Sequence, residues 1–212
     1  MKQIIRLLVY SLIVIGSGLF IWTMLPDRRV EKVFTINPEV SLFSEKLICE
    51  KVQDLMNAKF FVDYPESVSS GESDEILVKI EKPVFVKSQI NNNNKLDDCW
   101  ILLEVSVDGK GMMFDPQKKV IVPYLSNQDQ RFIFEIFPKT DQVNKGTIWI
   151  CAVFPIDNNG VERIPMFAIP FEVQIRSIFG ISVKMIRIIS LLLAISALVF
   201  LYLQNDPIKK RK

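Results

Sequence analysis

At 212 residues, with 49% hydrophobic residues and no histidine, the chain is long enough for one packed body with flanking segments, and it lacks the parts for several chemistries. Without histidine there is no Ser-His-Asp triad, no Cys-His dyad and no His-containing zinc site. The net charge of +2 hides two opposed parts: residues 26–177 hold 18 Lys and Arg against 23 Asp and Glu, a net −5, whereas the ends hold 8 basic residues against Asp206 alone, a net +7. The basic excess sits where anionic headgroups would meet it and not on a folded face suited to nucleic acid, so a lipid bilayer is an expected partner and nucleic acid is not.

The first element is MKQIIRLLVYSLIVIGSGLFIWTML. Lys2 and Arg6 precede an apolar run from Leu7 to Leu25, 19 residues long and relieved only by small or weakly polar side chains. That is close to the ~20 residues that cross a hydrocarbon core. A secretory signal would have a shorter apolar run and a small-residue cleavage site, but the chain past Gly18 reads LFIWTMLPDRR, bulky at almost every position. Residues 4–25 therefore read as an uncleaved signal anchor, with Trp22 suited to the interfacial belt.

Residues 26–57 form a membrane-proximal segment. In SLFSEKLICEKVQDLMN, the apolar Leu47, Ile48, Val52, Leu55 and Met56 recur at three- and four-residue steps, with Ser44 as a capping residue. The spacing predicts one short amphipathic helix, covering a sheet edge or an end of the body that follows.

Residues 58–177 read as about seven short strands separated by turns. Ile76, Val78 and Ile80 alternate with Leu77, Lys79 and Glu81; Phe132, Phe134 and Ile136 alternate with Ile133, Glu135 and Phe137. The run INNNNKLDD is a polar loop, and DNNG (157–160) is a hairpin signal. Pro165 and Pro170 imply an edge or a bulged course for the last strand, because proline cannot donate to a central ladder. On strand number, hairpin spacing and the positions of Trp100 and Trp149, residues 59–177 resemble the immunoglobulin-like sandwich. The resemblance implies a fold and carries no function with it.

The second span is ISVKMIRIISLLLAISALVFLYL, residues 181–203, apolar on every face past Arg187. Lys184 and Arg187 lie in its first turns, where long side chains can snorkel to headgroups. Small residues offer close backbone approach between the two spans: Gly16, Ser17 and Gly18 in the first, Ser190, Ala194 and Ala197 in the second. They are the candidate helix–helix packing residues. The chain ends in a basic tail, residues 204–212, with Lys209, Lys210, Arg211 and Lys212.

No cofactor or metal is expected. There is no phosphate-cradling glycine loop; Asp97 and Asp98 read as a solvated turn, and the calcium-loop-like Asp157-Asn158-Asn159-Gly160 lacks the later ligands. Three cysteines leave one unpaired if a disulfide forms; Cys99 and Cys151, each next to a tryptophan, are the candidate pair, with Cys49 left over. The expectation is a mainly β, non-enzymatic membrane protein with both termini cytoplasmic and the central body outside. It would bind a protein partner or act as an accessory subunit of a membrane complex. The absence of an N-x-[ST] sequon favours a bacterial plasma membrane. The alternative is the endoplasmic reticulum, since Lys209 and Lys210, fourth and third from the end, resemble the dilysine tail of p24-type cargo receptors; a subunit of an oligomeric channel or transporter is a further alternative.

Overall fold

The computed structural model describes residues 2–25, 27–36, 50–82, 100–139, 143–156, 160–178 and 180–205. In chain order these form α1 (Lys2–Met24), β1 (Arg29–Thr35), α2 (Glu50–Met56), β2 (Lys59–Pro65), β3 (Ser67–Ser69), β4 (Asp74–Glu81) and β5 (Leu102–Lys110). They continue with β6 (Met112–Asp115), β7 (Val120–Pro123), β8 (Gln130–Pro138), β9 (Asn144–Ile156), β10 (Gly160–Ile178), β11 (Ile181–Ser182) and α3 (Val183–Asn205). The chain is mainly β with an apolar helix towards each end, and it divides into two compact units. One comprises residues 1–27, 69–72 and 176–212; the other comprises 28–68 and 73–175.

The larger unit is built from two sheets. One has the order β1-β2-β4-β8-β6; the other has β10-β9-β5-β7. The pairings between neighbours are antiparallel. Strand alternation sends Phe60 and Val62, Ile76, Val78 and Ile80, and Phe132, Phe134 and Ile136 from the first sheet into one core. Leu103 and Val105, Ile148 and Ile150, and Ile169 and Phe171 enter it from the second. The rings of Phe60 and Phe167, one from each sheet, lie 5.0 Å apart, and those of Tyr64 and Phe171 lie 5.7 Å apart, within the range of favourable tilted aromatic pairs. Two sheets sharing a core are consistent with a β-sandwich-like fold.

Three features depart from the sequence reading. Residues 29–35, placed there in a membrane-proximal segment, form edge strand β1, in register with β2 from Arg29↔Pro65 to Thr35↔Lys59. Only Glu50–Met56 of the expected helix lies among described helical residues; it inserts Val52 and Leu55 into the core, while residues 37–49 lie outside the described residues. The strands number eleven among the described residues and not about seven, because short pieces such as β3, β6 and β11 carry too little periodicity to register. The bulged course expected from Pro165 is found: the register of β10 against β9 shifts between Pro165 and Phe167, at Met166.

The smaller unit holds α1 and α3. Helix α3 starts two residues later than the apolar pattern predicts. Ile181 and Ser182 instead pair back on Ile178 and Ser177 across Gly180, whose φ of 74° favours glycine. Ser182 Oγ then accepts a hydrogen bond from the Met185 N–H at 3.3 Å, capping the helix. Both helices are long and apolar enough to cross a membrane.

Candidate functional site

Within the smaller unit, α1 and α3 meet through small side chains. A Cβ built on Gly16 would lie 3.3 Å from the Ser190 carbonyl oxygen, 3.7 Å from the Ala194 amide nitrogen and 3.8 Å from Leu193 Cβ. Gly16, Ser190 and Ala197 are buried, and Ser17 and Ala194 are half-buried. Gly18 is not part of this contact: nothing lies within 4 Å of its would-be Cβ, and the residue is exposed. The sequence grouped Gly16, Ser17 and Gly18 by type, whereas at 3.6 residues per turn Gly18 is ~200° around the helix from Gly16. Most of the large side chains, among them Leu7, Val14, Ile21, Leu192 and Leu198, are exposed, whereas Val9, Val183 and Ile186 are buried.

A polar collar closes the same unit. Arg187, on the second turn of α3, donates from Nη1 to Glu72 Oε1 at 2.9 Å and from Nη2 to the Thr23 carbonyl at 2.8 Å. Thr23 is in the last turn of α1, whose carbonyls lack partners further along the helix and carry the negative end of its dipole. No basic residue of α1 itself stands there, and Arg187 fills that role from the other helix. Arg176 pairs with Asp27 and places its guanidinium 4.9 Å from the centre of the Trp22 ring, in cation–π range. Arg187 is thus bound within the protein where a headgroup contact was expected, whereas Lys184 is exposed. The side chains of Lys2 and Arg6, and all of Lys209, Lys210, Arg211 and Lys212, lie outside the described residues.

The outward faces of the two sheets in the larger unit differ in chemistry. On the β1-β2-β4-β8-β6 sheet, Arg29 is shared by Asp63 at 2.8 Å and Asp74 at 2.9 Å, and Lys79 by Glu81 at 2.7 Å and Asp129 at 3.4 Å. The Asp129 carboxyl is held below its ordinary value, first by the Lys82 N–H and then by Lys79. The other sheet inverts that ratio. Glu104, buried on the outward side of β5, receives Lys119 Nζ at 2.9 Å and Arg163 Nε at 3.0 Å on one oxygen. Cys151 sits opposite Glu104 on β9 and is a free cysteine among the described residues; Cys99, its expected partner, and Cys49 lie outside them. Burial first, and the Glu104 carboxylate second, push that thiol up. At the α2 side of the core the Tyr124 hydroxyl is buried with no hydrogen-bond partner among the described residues; burial raises its ionisation well above the usual phenol range, with Asp54 adding to it.

No family model matches the chain, and no curated protein matches it. Among solved structures, similarity is distant. One is the complex of zinc 2-glycoprotein and prolactin-inducible protein from human seminal plasma, 12% identical, covering 56% of this chain and 93% of that chain, with a TM-score of 0.37. Another is a conjugative transposon lipoprotein from Bacteroides eggerthii, 12% identical over 55% of this chain and 93% of that one, TM-score 0.25. The putative ApaA protein of Bordetella pertussis is 11% identical over 72% and 98%, TM-score 0.21. None of them gives this chain a function.

The sequence reading missed the Glu104–Lys119–Arg163 triad and the Arg187–Glu72 pair. A single charge inside the apolar run ILLEVSV was the only signal for the first. Asp97, Asp98 and residues 157–159 lie outside the described residues, as does the Asn91–Asn94 loop.

Proposed function

We propose that this chain is a two-span membrane protein with both termini in the cytoplasm and an immunoglobulin-like sandwich on the other side, acting as a non-enzymatic interaction module or accessory subunit of a membrane complex. The observation that carries the membrane reading is the inverted burial of α1 and α3. Gly16, Ser190 and Ala197 are buried at the helix pair while most large apolar side chains are exposed, which stabilises a helix pair in lipid and would expose a wide apolar surface in water.

Strand order supports the immunoglobulin-like part. In chain order, β2, β4, β5, β6, β8, β9 and β10 fall into one sheet of β2-β4-β8-β6 and another of β5-β9-β10. This is the A-B-E-D and C-F-G arrangement of the constant-type sandwich, with β1, β3, β7 and β11 added. Its usual core differs here: Trp100 is 65% exposed, and the tilted Phe60–Phe167 and Tyr64–Phe171 pairs bridge the sheets instead. A body of this kind, with exposed apolar side chains set among charges on its outward faces, suits a binding role better than a transport pathway, which two spans without charged residues along their middles do not line.

The test is topological. Protease added outside intact cells should cut the central body and spare tags fused at both termini. Loss of either tag would overturn the orientation, and an intact mass beginning between Thr23 and Glu31 would overturn the anchor.

A further inference from the structure

The inference rests on the interaction-module reading and names the partner. We infer that the outward faces of the two sheets are complementary to each other, so that the β10-β9-β5-β7 face of one copy docks on the β1-β2-β4-β8-β6 face of a second copy of this chain.

Both faces combine exposed apolar side chains with an unequal set of charges, and the inequality has opposite sign. On the second sheet, the row Ile121, Glu104, Cys151 and Pro165 runs across four strands, with Trp149 on the adjoining row of β9. Ile121 is 42% and Trp149 38% exposed. At the centre of this face one carboxylate is shared by two cations, which leaves a positive surplus set in apolar surroundings. On the first sheet, the row Glu31, Asp63, Leu77 and Ile133 runs across four strands beside Val33 and Phe61. Val33 is 53% and Ile133 51% exposed. Here two cations are each shared by two carboxylates, which leaves a negative surplus.

Like faces would bring surplus charge of one sign together, which complexes suppress at a cost of several kcal/mol. Unlike faces bring opposite surpluses together and cover the apolar residues on both sides. A contact between two different patches is heterologous, and it closes into a ring or continues as a file according to the rotation between copies.

The test uses the full chain in detergent micelles, with protein mass read by light scattering. Wild type should be multimeric and should dissociate as salt rises, since these ion pairs are partly exposed. Ile121→Glu places a carboxylate on the positive face, and Ile133→Lys places a cation on the negative face. Each variant alone should have an association at least about tenfold weaker than wild type and run as a single chain. An equimolar mixture should form a dimer and stop there, because each variant keeps one intact face. Trp149→Asp replaces Ile121→Glu if the latter lowers the thermal midpoint. A monomeric wild type, a variant that stays multimeric alone, or a mixture that stays monomeric overturns the inference.

A photo-cross-linking residue at position 121 in the native membrane separates this inference from the reading beneath it. Adducts between two copies of this chain support the inference. Adducts only with another protein overturn it and leave the interaction module standing; no adduct at all overturns both.

Discussion

The sandwich core and the helix pair bury opposite kinds of residue. The sandwich encloses Phe60, Phe134, Ile76 and Ile150 with essentially no exposure, and its outward positions carry the charges. The helix pair encloses Gly16, Ser190 and Ala197, with Val9, Val183 and Ile186, and leaves most of its leucines and isoleucines exposed. In water, removing apolar area is the driving force, and large side chains supply the most area. In lipid that force vanishes between helices, and close backbone approach at small residues takes over. With α1 and α3 placed in lipid as proposed, the two units obey one rule, complementarity to the surrounding solvent, with the side-chain preference reversed.

The sharpest way to break the comparison is to truncate a residue on each side. Phe134→Ala, fully buried between the sheets, should cost about 3–5 kcal/mol, read as a lowered denaturation midpoint of the full chain. Leu192→Ala, exposed on α3, should leave the same midpoint unchanged, because in lipid its side chain exchanges one apolar neighbour for another. Equal losses from both would show that Leu192 is packed against protein and not exposed on α3.

Adding atoms gives the next largest effect. A Cβ on Gly146 would lie 2.5 Å from both the Phe171 ring and the Asp108 carbonyl oxygen. Backbone cannot give way as a side-chain tip can, so Gly146→Ala should cost about 1–3 kcal/mol by overpacking. Gly109 is the control: its nearest obstacle is the terminal methyl of Met112, so Gly109→Ala should cost less. A reversed order in thermal melts would contradict this packing of β9 against β5.

In the helix pair the corresponding test is geometric. Cysteines replacing Gly16 and Leu193 would have Cβ atoms about 3.8 Å apart, inside the span a disulfide bridges. With the native thiols replaced by serine, that pair should oxidise within one chain. A pair at Gly18 and Ala194 should not, since nothing approaches Gly18. Cross-linking of the second pair in preference to the first would require α1 to turn about its own axis, with Gly18 and not Gly16 facing α3.

The smallest effect concerns a residue between core and surface. Burial, with Glu104 second, raises the Cys151 thiol, so less thiolate is present at a given pH than on a free thiol of about 8.5. Alkylation at about pH 8.5, where half of a free thiol is ionised, should run slower than on a model peptide once Cys49 and Cys99 are replaced by serine, and Glu104→Gln should speed it. The linkage has a definite sign: the unfolded thiol ionises first, so stability declines as pH rises above the unfolded value and levels off above the folded one. An alkylation rate equal to the peptide's would place Cys151 in open solvent.

Sequence by itself determined what depends on local period and composition. Two long apolar runs form helices long and apolar enough to cross a membrane, and the alternation through Ile76–Val78–Ile80 and Phe132–Phe134–Ile136 assigns strands and their buried face, because side-chain direction follows from backbone geometry alone. Four outcomes needed the tertiary structure. Strand β1 exists because β2 offers it an edge; its own sequence, RVEKVFT, interrupts its apolar positions with Arg29, Glu31 and Lys32 and carries no clean alternation. Gly16 and Gly18 are alike in sequence, and only the rotation of α1 against α3 makes one a contact and leaves the other exposed. Arg187 pairs with Glu72, 115 residues away, and Glu104 gathers Lys119 and Arg163 from 15 and 59 residues away. Charges meet across such separations only when folding brings their strands and turns together, and no local pattern encodes that meeting.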